Sequence, residues 1–197
     1  ESIPIKISTF CINEVIDEVC SIHQPESKRR LALKVCGQHD RVVIQSDEPR
    51  LRGILSNLIS NAVKFTDKGQ IVVEWSLESK TDTTGILTIK VEDTGCGIAA
   101  ENIKRVFSDY YRENDRIPGL GIGLSLVQAF TKDLEGQVSL DSSPGLGTTV
   151  KATIPVLIVN EHHPKNRNIL TFDGMNALIV DDPEGSCLAL RKVLESY

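Results

Sequence analysis

Three polar side chains, Asn57, Asn61 and Lys64, recur at intervals of four and three residues in an otherwise apolar stretch. At about 100° per residue of an α-helix they fall within a stripe about 60° wide, beside the apolar face. An asparagine carbonyl oxygen is a neutral ligand suited to Mg²⁺, and a lysine one turn away can meet phosphate charge. The stripe predicts one edge of a metal and phosphate site, with an ordinary solvated helix edge as the alternative.

A second candidate is the segment DTGCGI, residues 93–98, which directly follows an alternating apolar run. A carboxylate at Asp93 can accept a hydrogen bond from an exocyclic amine, and Gly95 and Gly97 let the backbone approach a planar ring closely. The same residues also fit a simple Asp-Gly turn. The segment therefore predicts either a base-binding loop or a plain turn.

Glycines alternate along the segment GLGIGL, residues 119–124, and lead into a predicted helix start. Free N–H groups and the helix dipole at such a place can receive phosphates. The spacing differs from a Rossmann fingerprint, and the chain contains no Gly-Lys-Ser/Thr of a Walker loop. A further turn, GLGT at residues 145–148, can bring backbone and a hydroxyl to the same cleft, although a plain strand-linking turn explains it equally well.

The elements that must position these residues follow from hydrophobic periodicity. Helices are predicted over residues 8–22, behind a Ser8-Thr9 cap, from Asp47 and Pro49 to near Gly69, and over 124–134. Strands are predicted at residues 31–35, 42–45, 71–77, 87–91, 138–140 and 149–154. Helices and mostly antiparallel strands that do not strictly alternate predict an α+β fold, a two-layer α/β sandwich in which a mostly antiparallel mixed sheet packs on helices.

Composition limits the function classes. The 197 residues, 40% of them hydrophobic, can form one domain and a remainder too short to fold alone. A net charge of -5 without a basic block predicts no nucleic-acid partner and no direct membrane contact. Five cysteines form no CxxC pair, which indicates a reducing compartment and no zinc site. No run approaches the roughly 18 apolar residues that cross a bilayer. A cytoplasmic location is therefore expected, and this expectation includes the cytosolic part of a membrane-anchored sensor.

In this order, the segments resemble the sequence boxes of the histidine-kinase catalytic domain and of its superfamily, which includes gyrase, chaperone and mismatch-repair ATPases. The resemblance covers about residues 8–155 and implies the Bergerat-type ATP-binding fold. The matching boxes are NLISNAVKFT at 57–66 (N box), DTGCGI at 93–98 (G1), VFSDYYR at 106–112 (F box), GLGIGL at 119–124 (G2) and Gly147-Thr148 (last glycine motif).

The resemblance implies that Asn61 coordinates Mg²⁺ with help from Asn57, and that Asp93 receives the adenine amine of ATP. It also implies a lid over residues 99–118, anchored by Phe107, from which Arg112 reaches toward the γ-phosphate. Two residues depart from the family pattern: Ser108, where the family often has an acid, and Leu120, where a small hydroxyl residue is usual. The implied catalytic residues are Asn57, Lys64 and Arg112. The implied nucleotide-binding residues are Asn57, Asn61, Lys64, Phe65, Asp93, Gly95, Gly97, Ile98, Phe107, Gly119, Leu120, Gly121, Ile122, Gly123, Leu124 and Thr148.

The implied reaction is transfer of the γ-phosphate to a histidine on a separate dimerisation domain, within a homodimeric two-component sensor kinase. The hydrolysing members of the superfamily resemble one another in a glutamate base one turn before the magnesium asparagine. This chain has Asn57 there, and an amide cannot accept a proton from water at neutral pH. None of the four histidines has the acidic neighbour and Arg-x-Pro turn of a phosphoacceptor. An ATP-hydrolysing clamp and a nucleotide-binding scaffold without phosphotransfer are the alternatives.

The C-terminal segment FDGMNALIVDDPEGSCLALRKVLESY resembles the first strand and helix of a response-regulator receiver domain. Asp181 and Asp182 would be its acidic pair for Mg²⁺, as in a hybrid kinase, while an exposed acidic turn after a strand is the alternative. The predicted organisation is therefore a catalytic domain at 1–155, a linker at 156–175 and the truncated start of a receiver domain at 176–197.

Overall fold

The structure of the chain, a computed structural model, describes residues 4–25, 30–38, 40–108 and 122–159. These residues form three α-helices, seven strands and a short 3₁₀ helix at Ala100–Asn102. The helices are α1 (Ile12–Ile22), α2 (Glu48–Phe65) and α3 (Gly123–Asp133). The strands are β1 (Ser8–Cys11), β2 (Leu31–Cys36), β3 (Val43–Ser46), β4 (Gly69–Ser79), β5 (Thr84–Asp93), β6 (Gln137–Ser143) and β7 (Gly147–Ile158).

The strands form one seven-stranded sheet within the described part of the chain, in the order β1-β3-β7-β5-β4-β2, with β6 paired to β7 beside β3. All described pairs are antiparallel except β2 with β4. The predicted α+β fold, a mostly antiparallel mixed sheet packed on helices, is confirmed. Strand β7 passes the predicted domain boundary at residue 155 and ends at Ile158.

The core lies between one face of the sheet and the helices. Alternate residues of β4, β5 and β7 point toward the helices because successive strand residues face opposite sides. These residues meet the apolar stripe of α2, and burying each large side chain contributes about 2 kcal/mol. The fully buried positions that form this contact are Leu51, Ile54, Leu55 and Ile59 of α2 and Ile71, Val73, Leu87, Ile89, Ala152 and Ile154 of the sheet.

The start of α1 differs from the prediction. Ser8 and Thr9 do not cap a helix but belong to β1, which pairs with β3 through Ser8 opposite Ser46 and Thr9 opposite Gln45. The helix begins at Ile12 without a side-chain cap. The predicted cap is wrong because Ser8 and Thr9 pair with a distant strand, and the Ile12 amide donates to the Val42 carbonyl over 3.0 Å instead of to a capping side chain.

Helix α2 begins as predicted and ends earlier. The Asp47 carboxylate accepts a hydrogen bond of 2.9 Å from the backbone amide of Arg50, and Pro49 lies in the first turn. The predicted end near Gly69 is wrong, since Thr66 is already extended and Gly69 starts β4. The Gly69 amide donates to the Arg30 carbonyl over 2.9 Å, so pairing with the sheet ends the helical run.

A buried ion-pair network connects the start of α2 with the end of α3. The Arg50 guanidinium contacts Asp47 at 2.5 Å and Asp133 at 3.1 Å, and its side chain is 7% exposed. Burial acts to raise the pKa of Asp47, but hydrogen bonds from the Lys6 and Arg50 amides and from the guanidinium hold that pKa below its ordinary value. The network thus links the start of α2 to the last residue of α3. No described helix has the length and apolar character needed to cross a bilayer.

Candidate functional site

The two predicted amides of α2 lie against the first residue of α3. A Cβ atom placed on Gly123 would lie 3.1 Å from Nδ2 of Asn61 and 3.2 Å from Oδ1 of Asn57. Both distances are tighter than ordinary van der Waals contact, so a side chain at position 123 would press on both amides. The structure thus brings Asn57, Asn61 and Gly123 together at one place.

The orientation of these amides leaves oxygen atoms available. Nδ2 of Asn57 donates to the Gly53 carbonyl over 2.8 Å, which directs its own Oδ1 toward Gly123. The half-buried Asn61 amide has no hydrogen-bond partner among the described residues. No cluster of three or more His, Cys, Asp or Glu side chains occurs in the described ranges. A cation here would therefore bind neutral oxygens and depend on the phosphates of a ligand for negative charge.

The end of α2 joins the loop that follows β5. Nζ of Lys64 lies 4.9 Å from the ring centroid of Phe65, within cation–π range. The Phe65 carbonyl accepts a hydrogen bond of 3.2 Å from the Cys96 amide. The amide-bearing helix and the predicted base-binding loop are therefore in direct contact, while the predicted nearness of Lys64 to phosphate stays a prediction.

A row of three polar side chains crosses the end of the sheet. Asp93 of β5 is opposite Thr148 of β7, and Thr148 is opposite Ser142 of β6. Each residue is two positions from a core residue of its own strand, so all three lie on the face that meets the helices. The row forms a polar floor beside the end of α2.

The carboxyl group of Asp93 is the electrostatic feature of that floor. Burial raises the pKa of Asp93, although the backbone amides of Gly95 and Thr148 act to lower it. The Gly95 amide donates to Oδ1 over 2.8 Å. The buried Thr66 hydroxyl is close enough to lower the pKa as well, but its geometry falls short of a regular hydrogen bond. A partly desolvated carboxylate of this kind is a strong acceptor for a donor on a ligand.

Two glycine turns converge on the same place. Gly97 has a φ of +69°, and a Cβ atom there would lie 1.9 Å from the Ser143 carbonyl oxygen. The Gly145 amide donates to the Cys96 carbonyl over 2.7 Å, and the Ile98 amide donates to Oγ of Ser142 over 2.8 Å. The loop after β5 and the turn between β6 and β7 are thus packed together, as a common cleft requires.

Other predicted residues are placed differently or lie outside the described residues. Ile122 precedes α3, where its carbonyl accepts hydrogen bonds of 3.0 Å from the Ser125 hydroxyl and the Leu126 amide. Leu124 packs against the core. The residues Arg112, Gly119, Leu120 and Gly121, much of the predicted lid, and Asp181 and Asp182 lie outside the described residues.

Phe107 lies on another side of α3. It lines a cavity of about 820 Å³ together with Ser125, Gln128 and Lys132 of α3 and Val138 of β6. At about 100° per residue, those helix positions project roughly opposite Gly123. Among the described residues, the cavity shares only Phe107 with the predicted nucleotide site. The predicted anchoring of a lid by Phe107 stays a prediction.

Ser142 is a site residue that sequence reasoning did not identify. The sequence contains a pattern that could have identified it, because Val138, Leu140 and Ser142 are every second residue of one strand and share a face. The strand was predicted to end at residue 140, so Ser142 was left out. A serine at the end of a strand and before a Pro-Gly turn has no local feature that separates it from an ordinary turn residue.

Comparison with known proteins gives a family match and several sequence relatives. Residues 46–158 match the family model described as histidine kinase-, DNA gyrase B- and HSP90-like ATPase. The chain is 35% identical over 157 residues to the aerobic respiration control sensor protein ArcB of Escherichia coli K12, covering 76% of this chain and 20% of that protein. It is 30% identical over 161 residues to the sensor protein EvgS of Escherichia coli O157:H7, covering 79% of this chain and 14% of that protein.

Solved structures show the same fold. Full-length ShkA, solved in complex with AMPPNP, matches with a TM-score of 0.69 at 25% identity, covering 81% of this chain and 33% of that one. The catalytic domain of the histidine kinase ThkA matches with a TM-score of 0.62 at 22% identity, covering 76% of this chain and 97% of that one. The chain therefore corresponds to a small part of its curated relatives and to nearly all of an isolated catalytic domain.

Proposed function

Because the chain belongs to the family of histidine kinase-, DNA gyrase B- and HSP90-like ATPases, we propose that it binds Mg·ATP and transfers the γ-phosphate to a histidine on a separate domain. The proposal rests on one observation, which is that the predicted polar and glycine segments lie close together in the fold. The amides of α2 meet the start of α3 at Gly123, and the last residue of α2 contacts the loop that follows Asp93. One ligand can therefore reach both ends of the cleft.

The donor set at the amide end suits magnesium. Oδ1 of Asn61 would be the protein ligand, with Asn57 beside it, and phosphate oxygens and water would complete the shell. Magnesium supplies charge neutralisation and orientation of the phosphates. The positive charge of Lys64 and Arg112 would act at the phosphates. The N–H groups of Gly119, Gly121 and Gly123 would bind the phosphate oxygens, and Gly123 is the first residue of α3.

The opposite end suits a purine. The Asp93 carboxylate would accept a hydrogen bond from the adenine amine, and Thr148 lies next to it across the sheet. Gly95 and Gly97 allow the loop to approach the flat base, because neither has a side chain to obstruct it. This assignment uses Asp93 and Thr148 for recognition of the base rather than for chemistry.

Transfer to a nucleophile is favoured over hydrolysis by the chemistry of Asn57. Its Nδ2 is committed to the Gly53 carbonyl, and its Oδ1 is an amide oxygen, which cannot take a proton from water at neutral pH. The similarity to sensor proteins points in the same direction. The proposed partners are a histidine-bearing dimerisation domain in a homodimeric parent and a receiver domain beginning within residues 176–197, all in the cytoplasm.

Nucleotide binding is tested by calorimetric titration of the chain with ATP, with and without Mg²⁺. Asn61→Ala is expected to abolish most of the Mg²⁺ dependence, and Asp93→Ala to weaken binding at least tenfold, because each removes one end of the site. Glu92→Ala is the matched control for Asp93, since it removes a neighbouring carboxylate on the exposed face of β5. Unchanged affinity in both site variants would refute the assignment.

The reaction is tested by adding histidine-bearing dimerisation helices and radiolabelled ATP. The kinase proposal predicts acid-labile phosphate on those helices, lost with the Asn61 variant. Steady phosphate release without an acceptor would instead favour the ATP-hydrolysing clamp. Tight ATP binding with neither outcome would favour a scaffold.

A further inference from the structure

The hydroxyl of Ser142 lies at the junction of the two glycine turns and makes three hydrogen bonds. Its Oγ is 2.8 Å from the Ile98 amide nitrogen, 2.8 Å from the Gly147 carbonyl oxygen and 2.9 Å from Oγ1 of Thr148. One partner belongs to the loop after β5, and the other two are the first residues of β7. A single half-buried hydroxyl thus connects every strand end of the polar floor.

The chemistry of these partners allows one arrangement of protons. An amide N–H can only donate, and a carbonyl oxygen can only accept. The single hydrogen of Ser142 must therefore point to Gly147, because two oxygens 2.8 Å apart without a hydrogen between them would repel. Ser142 then accepts from Ile98 and from Thr148. The Thr148 hydroxyl donates its hydrogen to Ser142 and keeps only lone pairs for any other partner.

The result is two acceptors side by side at the base end of the site. Asp93 lies opposite Thr148 in the sheet register, and an ionised carboxylate only accepts hydrogen bonds. An exocyclic amine at position 6 of a purine has two hydrogens, one for each of these acceptors, whereas a keto oxygen at the same position has none and is repelled. Discrimination of this kind is strong because a mismatched buried polar group is left without a partner.

We infer that Ser142 determines base specificity: by holding the Thr148 hydroxyl as an acceptor, it makes the site select 6-amino over 6-oxo purine nucleotides. The inference rests on the proposed function, because it requires the base to lie against Asp93 and Thr148. Ser142 is a positioning residue, since it acts through Thr148 and not by touching the nucleotide.

The test compares ATP with inosine triphosphate, in which a 6-oxo group replaces the amine, by calorimetric titration of the whole chain with Mg²⁺. The wild type is expected to prefer ATP. In Ser142→Ala the Thr148 hydroxyl can rotate and donate to the keto oxygen. The ATP affinity should then fall about fivefold while the inosine triphosphate affinity rises, so that their ratio drops about tenfold or more. Ser139→Ala, on the exposed face of the same strand, is the matched control and should leave the ratio unchanged.

A second variant keeps the outcome decisive. Thr148→Val removes the same hydroxyl while keeping the side-chain shape, so its ratio should also fall, and adding Ser142→Ala to it should change the ratio no further. Equal losses of both affinities in Ser142→Ala would overturn the inference about Ser142. The proposed function would stand, because the wild type would still bind ATP. A wild-type chain that binds neither nucleotide would refute the proposed function itself. Should Ser142→Ala not fold, a wild-type ratio in Thr148→Val overturns the inference.

Discussion

The substitution Gly97→Ala tests the convergence of the two glycine turns, and Gly145→Ala is its matched control. Both glycines have positive φ, +69° for Gly97 and +76° for Gly145. An alanine in that region costs about 1 kcal/mol at either position. A Cβ at 97 would lie 1.9 Å from the Ser143 carbonyl oxygen, whereas a Cβ at 145 meets nothing within 4 Å. The difference in free energy of unfolding between the two variants therefore measures the effect of the close approach of residue 97 to the Ser143 carbonyl.

The magnitude follows from what must move. The loop after β5 and the β6–β7 turn would have to separate by more than about 1 Å, since a Cβ contact below 3.0 Å is not tolerated. That movement breaks the hydrogen bonds of 2.8 Å from Ile98 to Ser142 and of 2.7 Å from Gly145 to Cys96. Each bond contributes about 1 kcal/mol, so Gly97→Ala should cost about 3 kcal/mol in total.

Urea unfolding and ATP titration measure the two consequences. Gly97→Ala should lower the free energy of unfolding about 2 kcal/mol more than Gly145→Ala, which corresponds to a melting temperature roughly 4 to 8 °C lower. It should also weaken ATP binding at least tenfold, because the base-binding loop is displaced, while Gly145→Ala changes binding less than about threefold. Equal effects of the two substitutions on stability and on binding would refute the reasoning.

Burial raises the pKa of Asp93, so the folded state holds this proton more tightly than the unfolded state. Stability relative to Asp93→Asn should fall as the pH rises from the ordinary value of 3.8 through the raised pKa, and a pH-independent difference in urea unfolding would contradict this. Arg50→Ala should lower the free energy of unfolding by about 3 kcal/mol or more, because it leaves the buried Asp47 carboxylate without its cationic partner. Arg52→Ala, whose ion pairs with Glu18 and Glu48 are partly exposed, should cost less than about 1 kcal/mol in the same assay. Leu55→Ala, at a fully buried position, should lower the free energy of unfolding by about 3 kcal/mol, measured by thermal unfolding. Ile22→Ala, at a position that is 76% exposed, should lower it by no more than about 0.5 kcal/mol.

Local pattern accounts for the positions and elements that the structure confirms. Asn57 and Asn61 share one edge of α2 because the helix repeat alone places residues four apart on the same side. The Asp47 cap and the following proline set the start of that helix through contacts within a few residues. Alternation alone identified β4 and β5 and their core faces, because the strand repeat of two is also local.

Contacts between distant segments account for what the sequence did not reveal. Ser8 and Thr9 form a strand because β3 lies alongside them, and nothing within the first helix signals this. Phe107 lines a cavity on the side of α3 opposite Gly123, and no local pattern around residue 107 indicates this position. Such placements are decided by tertiary packing, which overrides local preference.

By itself the sequence determined the fold class, the helix that carries the amides and the glycine segments that can approach a nucleotide, because helix and strand repeats act over a few residues. Only the tertiary structure decided that Asp93, Thr148 and Ser142 form one row. Their alignment depends on the register of three strands, and the hydrogen bond from Ile98 to Ser142 spans 44 residues. A slip of one residue in either pairing would turn a side chain to the opposite face, and the local sequence would read the same.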